Sequence, residues 1–169
     1  MTRSHAWGDR YFEGQVRAEC GQHALNNLLG GPQFLQVDLQ RAARRVLAAT
    51  DEREEEHIRP GGWYSHSVLA TALRDQHPDA ETDEASPWKL HFNRLGQADY
   101  RAVLDDELAC GALVNQNNAH WIALVKHEGL LWHVASQRTP TPMSEAHFQE
   151  TLRRYPDAFP VARRERPGH

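Results

Sequence analysis

The stretch that most constrains this chain is Gln15 to Gly31, QVRAECGQHALNNLLGG. After Cys20, the residues Ala24, Leu25, Leu28 and Leu29 recur at three- and four-residue spacing, which lines one side of a helix, and Gly30-Gly31 ends it. Cys20 therefore falls at the first turn of a short helix. Unpaired backbone N–H groups and the positive end of the helix dipole gather there, and both favour a thiolate over a thiol. Gln15 lies five residues upstream. Its carboxamide N–H is placed to join the Cys20 backbone N–H in stabilising an oxyanion.

A cysteine nucleophile needs a base. The segment ALVNQNNAHWIALV, residues 112 to 125, supplies His120 at the opening of a predicted strand, followed by Trp121. Nucleophile and base need only meet in space, and papain-like enzymes carry them on separate layers of the fold. Each residue alone has a plainer reading: a small buried cysteine, or one surface histidine among eleven. Together, with Gln15 ahead of the cysteine, they bring a thiol enzyme level with those readings. A metal site is the weaker idea. Cys20 and His23 are close, and His120, His127 and His133 share a hairpin, but no second cysteine is near. The expectation is no metal and no cofactor.

Elsewhere the pattern alternates between helix and strand periods. Val37, Leu39, Ala42, Ala43, Val46 and Leu47 describe a second amphipathic helix with Arg41, Arg44 and Arg45 facing out. The acidic run TDEREEEHIR, residues 50 to 59, reads as a solvated linker. Ser65 caps a third helix carrying Val68, Leu69, Ala72 and Leu73, which stops before His77-Pro78. Residues 79 to 87 are loop-like, Trp88 to Phe92 is a weak strand, and Tyr100, Val103, Leu104 and Leu108 suggest a fourth helix. Ala112 to Asn115, Trp121 to Lys126 and Leu130 to Ser136 are the strongest strand candidates, the last two joined by a tight turn at His127-Glu128-Gly129. Ser144 caps a fifth helix with Phe148, Leu152 and Tyr155 on one face, and Phe159 to Ala162 closes the sheet, with Pro160 suiting an edge. Helices first and an antiparallel sheet later predict an α+β domain in the papain-like arrangement: a helical layer bearing the thiol, a sheet bearing the imidazole, and a cleft for an extended peptide.

A length of 169 residues fits one domain, and a net charge of −4 argues against nucleic-acid binding. No apolar run approaches the roughly 18 residues of a membrane helix, and the first ten residues lack the apolar core of a secretory signal. Reducing cytosol is the expected compartment. Cys20 and Cys110 are the only cysteines, and a disulfide would silence the nucleophile, so Cys110 reads as a buried residue before a core strand.

The run YFEGQVRAECGQHALNNLLGG, residues 11 to 31, resembles the N-terminal signature of the Josephin family of cysteine deubiquitinases: aromatic-x-E-x-Q, then C-x-Q-H-x-L-N-N-L-L. Gly62-Trp63-Tyr64-Ser65 is similar to the family's Gly-aromatic helix start, and His120-Trp121 to its histidine strand. The likeness covers residues 11–162, leaving 1–10 and 163–169 as flexible ends. It implies a monomeric, cytoplasmic ubiquitin hydrolase of a eukaryotic cell, or of a host cell if the source is a microbe. Cys20 would be the nucleophile, His120 the base and Gln15 the oxyanion donor. Ubiquitin or its conjugates would be the partner, contacted at His66, Ser67 and Trp63 and at Trp121, which reads equally as an aromatic wall of the cleft and as core packing. In the family the interval between the second helix and the Gly-aromatic motif carries a mobile lid, which implies one over residues 50 to 59, short here and with an acidity that would suit the basic surface around ubiquitin's C-terminal tail. Its second ubiquitin surface is matched only at Phe34, since Gln33 and Gln76 fill the other places.

One position departs from the family pattern. The third catalytic residue, an Asn or Asp that fixes the imidazole, falls on Ala135. His133 has the same strand parity and is the expected substitute, and Asn115, Asn117 and Asn118 lie on the approach to His120. The departure keeps open a ubiquitin-binding pseudoenzyme, and the Gln-then-Cys ahead of a helix keeps open another papain-like thiol hydrolase acting as a peptidase or deamidase.

Overall fold

The computed structural model describes residues 7–14, 20–60, 62–76, 86–135 and 138–164. The helical half contains α1 (Cys20–Leu29), α2 (Gln36–Ala49), a 3₁₀ turn at Glu54–Glu56, a strand pair of β1 (Ile58–Arg59) and β2 (Trp63–Tyr64), and α3 (His66–Arg74). The sheet half follows as β3 (Trp88–Leu90), α4 (Tyr100–Asp105), β4 (Ala109–Gln116), β5 (His120–His127), β6 (Leu130–Val134), β7 (Thr141–Met143), α5 (Glu145–Arg154) and β8 (Ala158–Arg163). These last strands form a six-stranded sheet in the order β3-β8-β4-β5-β6-β7. Every pairing in it is antiparallel. The α+β layering expected from the sequence is present.

The sheet is covered on both faces, which is why its central strands read as unbroken apolar runs. In β5, all residues from Trp121 to Val125 are buried. Successive side chains point to opposite faces, so Trp121, Ala123 and Val125 join the cluster beneath α1, α2 and α3. Ile122 and Leu124 join the cluster beneath α4 and α5, which is built on Phe148, Leu152 and Tyr100. Helix α1 lies across β4 and β5, and α2 packs on α3.

The turns follow from residues that tolerate positive φ. Asn117 and Asn118 sit at φ 58 and 57, and Ala119 N–H donates to the Gln116 carbonyl at 3.1 Å, the type I′ geometry that suits the twist of a hairpin. Glu128 and Gly129, at φ 54 and 75, do the same between β5 and β6. Gly30, at φ 82, ends α1 by donating to the Asn26 carbonyl at 2.9 Å. Ser65 and Ser144 cap α3 and α5 through bonds from Val68 N–H and His147 N–H.

Four details differ from the sequence reading. The strands β1, β2 and β7 were not anticipated, because two or three residues carry no period. Leu108 lies beyond α4, which ends at Asp105; its N–H is taken by the Asp106 carboxylate at 2.9 Å. Pro160 is not on an edge strand, since β8 lies between β3 and β4. Its carbonyl accepts from His91 N–H at 3.0 Å, just past the end of β3. In an antiparallel strand N–H and C=O of one residue point the same way, so the missing donor faces the end of β3 and costs no bond to β4. Lastly, packing reaches past both expected domain limits. The Trp7 ring meets Trp132 edge-on at 5.3 Å, its carbonyl bonds His127 Nε2 at 2.9 Å, and Arg164 N–H donates to the Pro87 carbonyl at 2.9 Å.

Gly111 marks a bulge in the β4–β8 register and has φ 140. A Cβ built there would stand 1.8 Å from the Leu124 carbonyl oxygen. Gly111→Ala should therefore destabilise the domain by at least about 3 kcal/mol, lowering Tm by roughly 6–12 °C in thermal melts. An unchanged melting curve would contradict the register of the two central strands.

Candidate active site

Two sets of contacts fix the start of α1. The first is a clamp on the segment ahead of it. Glu13 accepts from Asn26 Nδ2 at 3.1 and 3.3 Å and lies 2.5 Å from His23 Nδ1, and Tyr11 OH also donates to it. Its backbone is held as well: Glu13 N–H donates to Asn27 Oδ1 at 2.7 Å, and Asn27 Nδ2 donates to the Glu13 carbonyl at 3.1 Å. Asn26 and Asn27 are each 1% exposed, and buried amides persist only when paired in this way. The Glu, His and Asn-Asn of the N-terminal signature are thus one hydrogen-bonded unit, a role their one-dimensional spacing does not reveal.

The second set seats the helix on β2. Gly21 N–H donates to the Gly62 carbonyl at 3.3 Å, and a Cβ at Gly21 would lie 3.3 Å from that oxygen and 3.4 Å from Leu69 and Tyr64. The next carbonyl but one, that of Tyr64, accepts the Trp121 indole N–H at 2.6 Å. Trp63 stacks on Trp121 with centroids 6.3 Å apart and donates to Asn115 Oδ1 at 3.0 Å. Helix α1, strand β2 and the opening of β5 therefore converge on Trp121.

The Cys20 thiol is buried at this convergence. Burial pushes its pKa up, and the backbone N–H groups of Trp121, Gly21 and Cys20 itself oppose the shift without cancelling it. The expectation that the helix start leaves a thiolate is corrected: desolvation of the charged form outweighs the N–H groups. The same N–H set would nonetheless meet negative charge arising next to the sulfur.

His120 is half-buried at the first position of β5, one residue from the Trp121 N–H that faces the thiol. Burial lowers its pKa from the ordinary 6.5. The structure brings Cys20 and His120 to the same strand end, but no hydrogen bond joins the thiol to the imidazole. Among the described residues, none bonds the His120 ring. It borders a cavity on the α5 side of the sheet, shared with Gln116, His133, Ala135, Glu150 and Tyr155. His133 pairs with Leu124, four residues along β5 from His120, or roughly 13 Å. Its ring instead stacks on His147 at 5.7 Å. The expected substitute therefore does not hold His120. Asn115 does not either, because its amide is committed to Trp63 and Asn118. The residue directly opposite His120 is Gln116, which the sequence reading passed over because only the hairpin register reveals it.

Other expected site residues are placed less uniformly. Gln15 lies outside the described residues, and Glu13 is the nearest anchored position but one. His66 and Ser67 are half-buried at the start of α3. The His66 ring stacks on Phe159 at 3.9 Å, meets Phe92 edge-on at 4.5 Å, and bonds the His91 carbonyl at 3.2 Å. Phe92 is 66% exposed beside it, an accessible ring the sequence reading took only as a strand end. Trp63 and Trp121 are 3% and 1% exposed; they build the floor of the site and offer no surface for a partner. Phe34 is likewise buried, with its N–H and carbonyl both bonded to Asn26, while Gln33 and Gln76 bond each other at 2.5 Å. That corner presents no aromatic contact.

A helical layer whose first helix opens on a buried cysteine, packed on an antiparallel sheet with a histidine opening a central strand, defines an α+β domain of the papain-like class. A model of the Josephin family matches residues 15–158, and the chain belongs to that family. At family level this means a deubiquitinase-type cysteine hydrolase that binds ubiquitin. No curated protein matches the sequence. Among the described residues, no helix is long and apolar enough to cross a membrane.

The two pKa directions set the pH behaviour. A neutral imidazole is required to take the thiol proton, so with the His120 pKa lowered, the acid limb of kcat/KM should lie below 6.5. Alkylation of Cys20 by iodoacetamide, measured in a Cys110→Ala background, should accelerate with a midpoint above 9.0. A midpoint near neutrality would mean a preformed thiolate and contradict the burial argument.

Proposed function

We propose that the protein hydrolyses the bond between the C-terminal tail of ubiquitin and an amine. The observation that carries this reading is the seat of the Cys20 thiol on the backbone of Trp121, one residue from His120, in a chain of the Josephin family. His120 takes the Cys20 proton as sulfur attacks the tail carbonyl, and Gln15 with the Cys20 backbone N–H stabilises the oxyanion. Collapse breaks the C–N bond, the proton passes from His120 to the leaving amine, and water cleaves the thioester to return the thiol and release the carboxylate. The reaction requires the imidazole, which borders the cavity on the α5 side, to move to the sulfur at the strand end, where pairing with β6 begins only at Ala123. Catalytic hydrogen bonds commonly tighten only with substrate bound.

His66 and Ser67 receive the ubiquitin tail at the start of α3, with exposed Phe92 extending that side of the cleft. The enzyme works as a monomer in a reducing, cytoplasmic compartment, where Cys20 stays free. With a thiol rather than a thiolate at rest, the base carries more of the reaction than in an ion-paired site. Ala135, in the place of the family's Asn or Asp, favours a second reading, a ubiquitin-binding pseudoenzyme.

Turnover of a ubiquitin conjugate by wild type, Cys20→Ala and His120→Ala separates the two. The hydrolase reading expects no turnover from Cys20→Ala and a loss of about 10²–10⁴ in His120→Ala, with ubiquitin binding retained in both. Wild-type turnover no faster than that of Cys20→Ala, with ubiquitin still bound, would establish the pseudoenzyme.

A further inference from the structure

Between α2 and β1 the chain carries the acidic run Asp51 to Glu56, which the proposed chemistry does not use. It ends at His57, a side chain of a different kind. His57 is 4% exposed. One ring nitrogen, Nδ1, lies 2.6 Å from Ser65 Oγ, the hydroxyl that caps α3 by accepting from Val68 N–H at 3.3 Å. The other, Nε2, is buried and makes no hydrogen bond. It lies 3.4 Å from Glu52 Oε2, within ion-pair reach but not aligned as a hydrogen bond. Leaving a buried imidazole nitrogen without a partner is unfavourable, so its direction needs a cause.

That direction is toward two carboxylates. One ligand atom from each of Glu52, Glu56 and His57 lies within 4.8 Å of the others. We infer that these three residues form a binding site for a first-row divalent cation of the Zn²⁺ type. In the tautomer with Nδ1–H donating to Ser65 Oγ, Nε2 presents its lone pair to the ion. The Ser65 oxygen then accepts from both Nδ1–H and Val68 N–H, which uses its two lone pairs. A hydrogen bond of this sort on the far nitrogen is what orients metal-binding histidines. One imidazole with two carboxylates suits Zn²⁺ and its neighbours; Ca²⁺ and Mg²⁺ prefer all-oxygen shells. Glu52 and Glu56 are exposed, so water can fill the remaining positions. Asp51, Glu54 and Glu55 add negative charge nearby, with Arg53 and Arg59 opposing it.

The ion would tie the acidic run to the cap of α3. Ser65 N–H also donates to the His57 carbonyl at 2.9 Å, and the preceding residue, Tyr64, holds the Trp121 indole. Binding would therefore fix the segment expected to be a mobile lid onto the framework of the thiol site.

The test is Zn²⁺ titration of the full chain against a chromophoric chelator, in a Cys20→Ala/Cys110→Ala background that removes thiolate ligands. It compares that protein with one also carrying Glu52→Gln/Glu56→Gln. These two side chains are exposed, so circular dichroism and the metal-free Tm should not change. The expected result is one Zn²⁺ bound per chain, weakened at least about tenfold by the double substitution, with Tm rising with Zn²⁺ only when both glutamates are present. Equal affinity in the two proteins, or no saturable binding in either, would overturn the proposal.

Discussion

Trp121 is the residue on which the rest of the site depends. Its backbone N–H faces the Cys20 thiol, its indole N–H is held by the Tyr64 carbonyl at 2.6 Å, and its ring stacks on Trp63. Three parts of the chain that are remote in sequence, α1, β2 and β5, are thereby registered to one another. A buried indole N–H requires a partner, and satisfying it with a β2 carbonyl fixes where the helical layer sits on the sheet. Displacing that ring would disturb the thiol, its nearest N–H and the strand end that carries His120 in one movement. The same burial raises the thiol pKa, so the constraint that seats Cys20 also favours keeping its proton on sulfur.

A second unit supports the first from the N-terminal side. Glu13, His23, Asn26 and Asn27 tie the approach segment to α1, while Asn26 also reaches across to both backbone groups of Phe34. Such networks favour one arrangement because each member lost leaves another buried group unpaired. The segment entering the site and the turn leaving α1 are both held by Asn26, with Asn27 adding two bonds to the first. The helix therefore presents its first turn in one orientation, which positioned nucleophiles require.

What was legible in the sequence was whatever is local or strongly periodic. The helix stripe after Cys20, the serine caps and the apolar strands gave the α+β layering, and Gly129 marked the tight turn between the last two of those strands. The positions of Cys20 at a helix start and His120 at a strand opening were legible because both leave local signs. Features set by register were not. His133 shares parity with Ala135, but only the observed pairing shows it lies opposite Leu124, far from His120. Trp63 reads as a ubiquitin contact and Trp121 as either cleft wall or core packing, and only the structure shows both rings buried, because burial is a property of what covers a side chain. Pro160 read as an edge residue, since sequence cannot tell that β3 ends just short of it.

The central claim is that Cys20 is the group that attacks the ubiquitin tail. It is tested most directly by incubating the wild-type protein with ubiquitin bearing an electrophilic C-terminus and locating the adduct by mass spectrometry of the digested product. The account predicts one ubiquitin per chain, linked through the Cys20 sulfur and absent in His120→Ala over the same interval. No adduct, or one formed on Cys110 at the same rate, would contradict it.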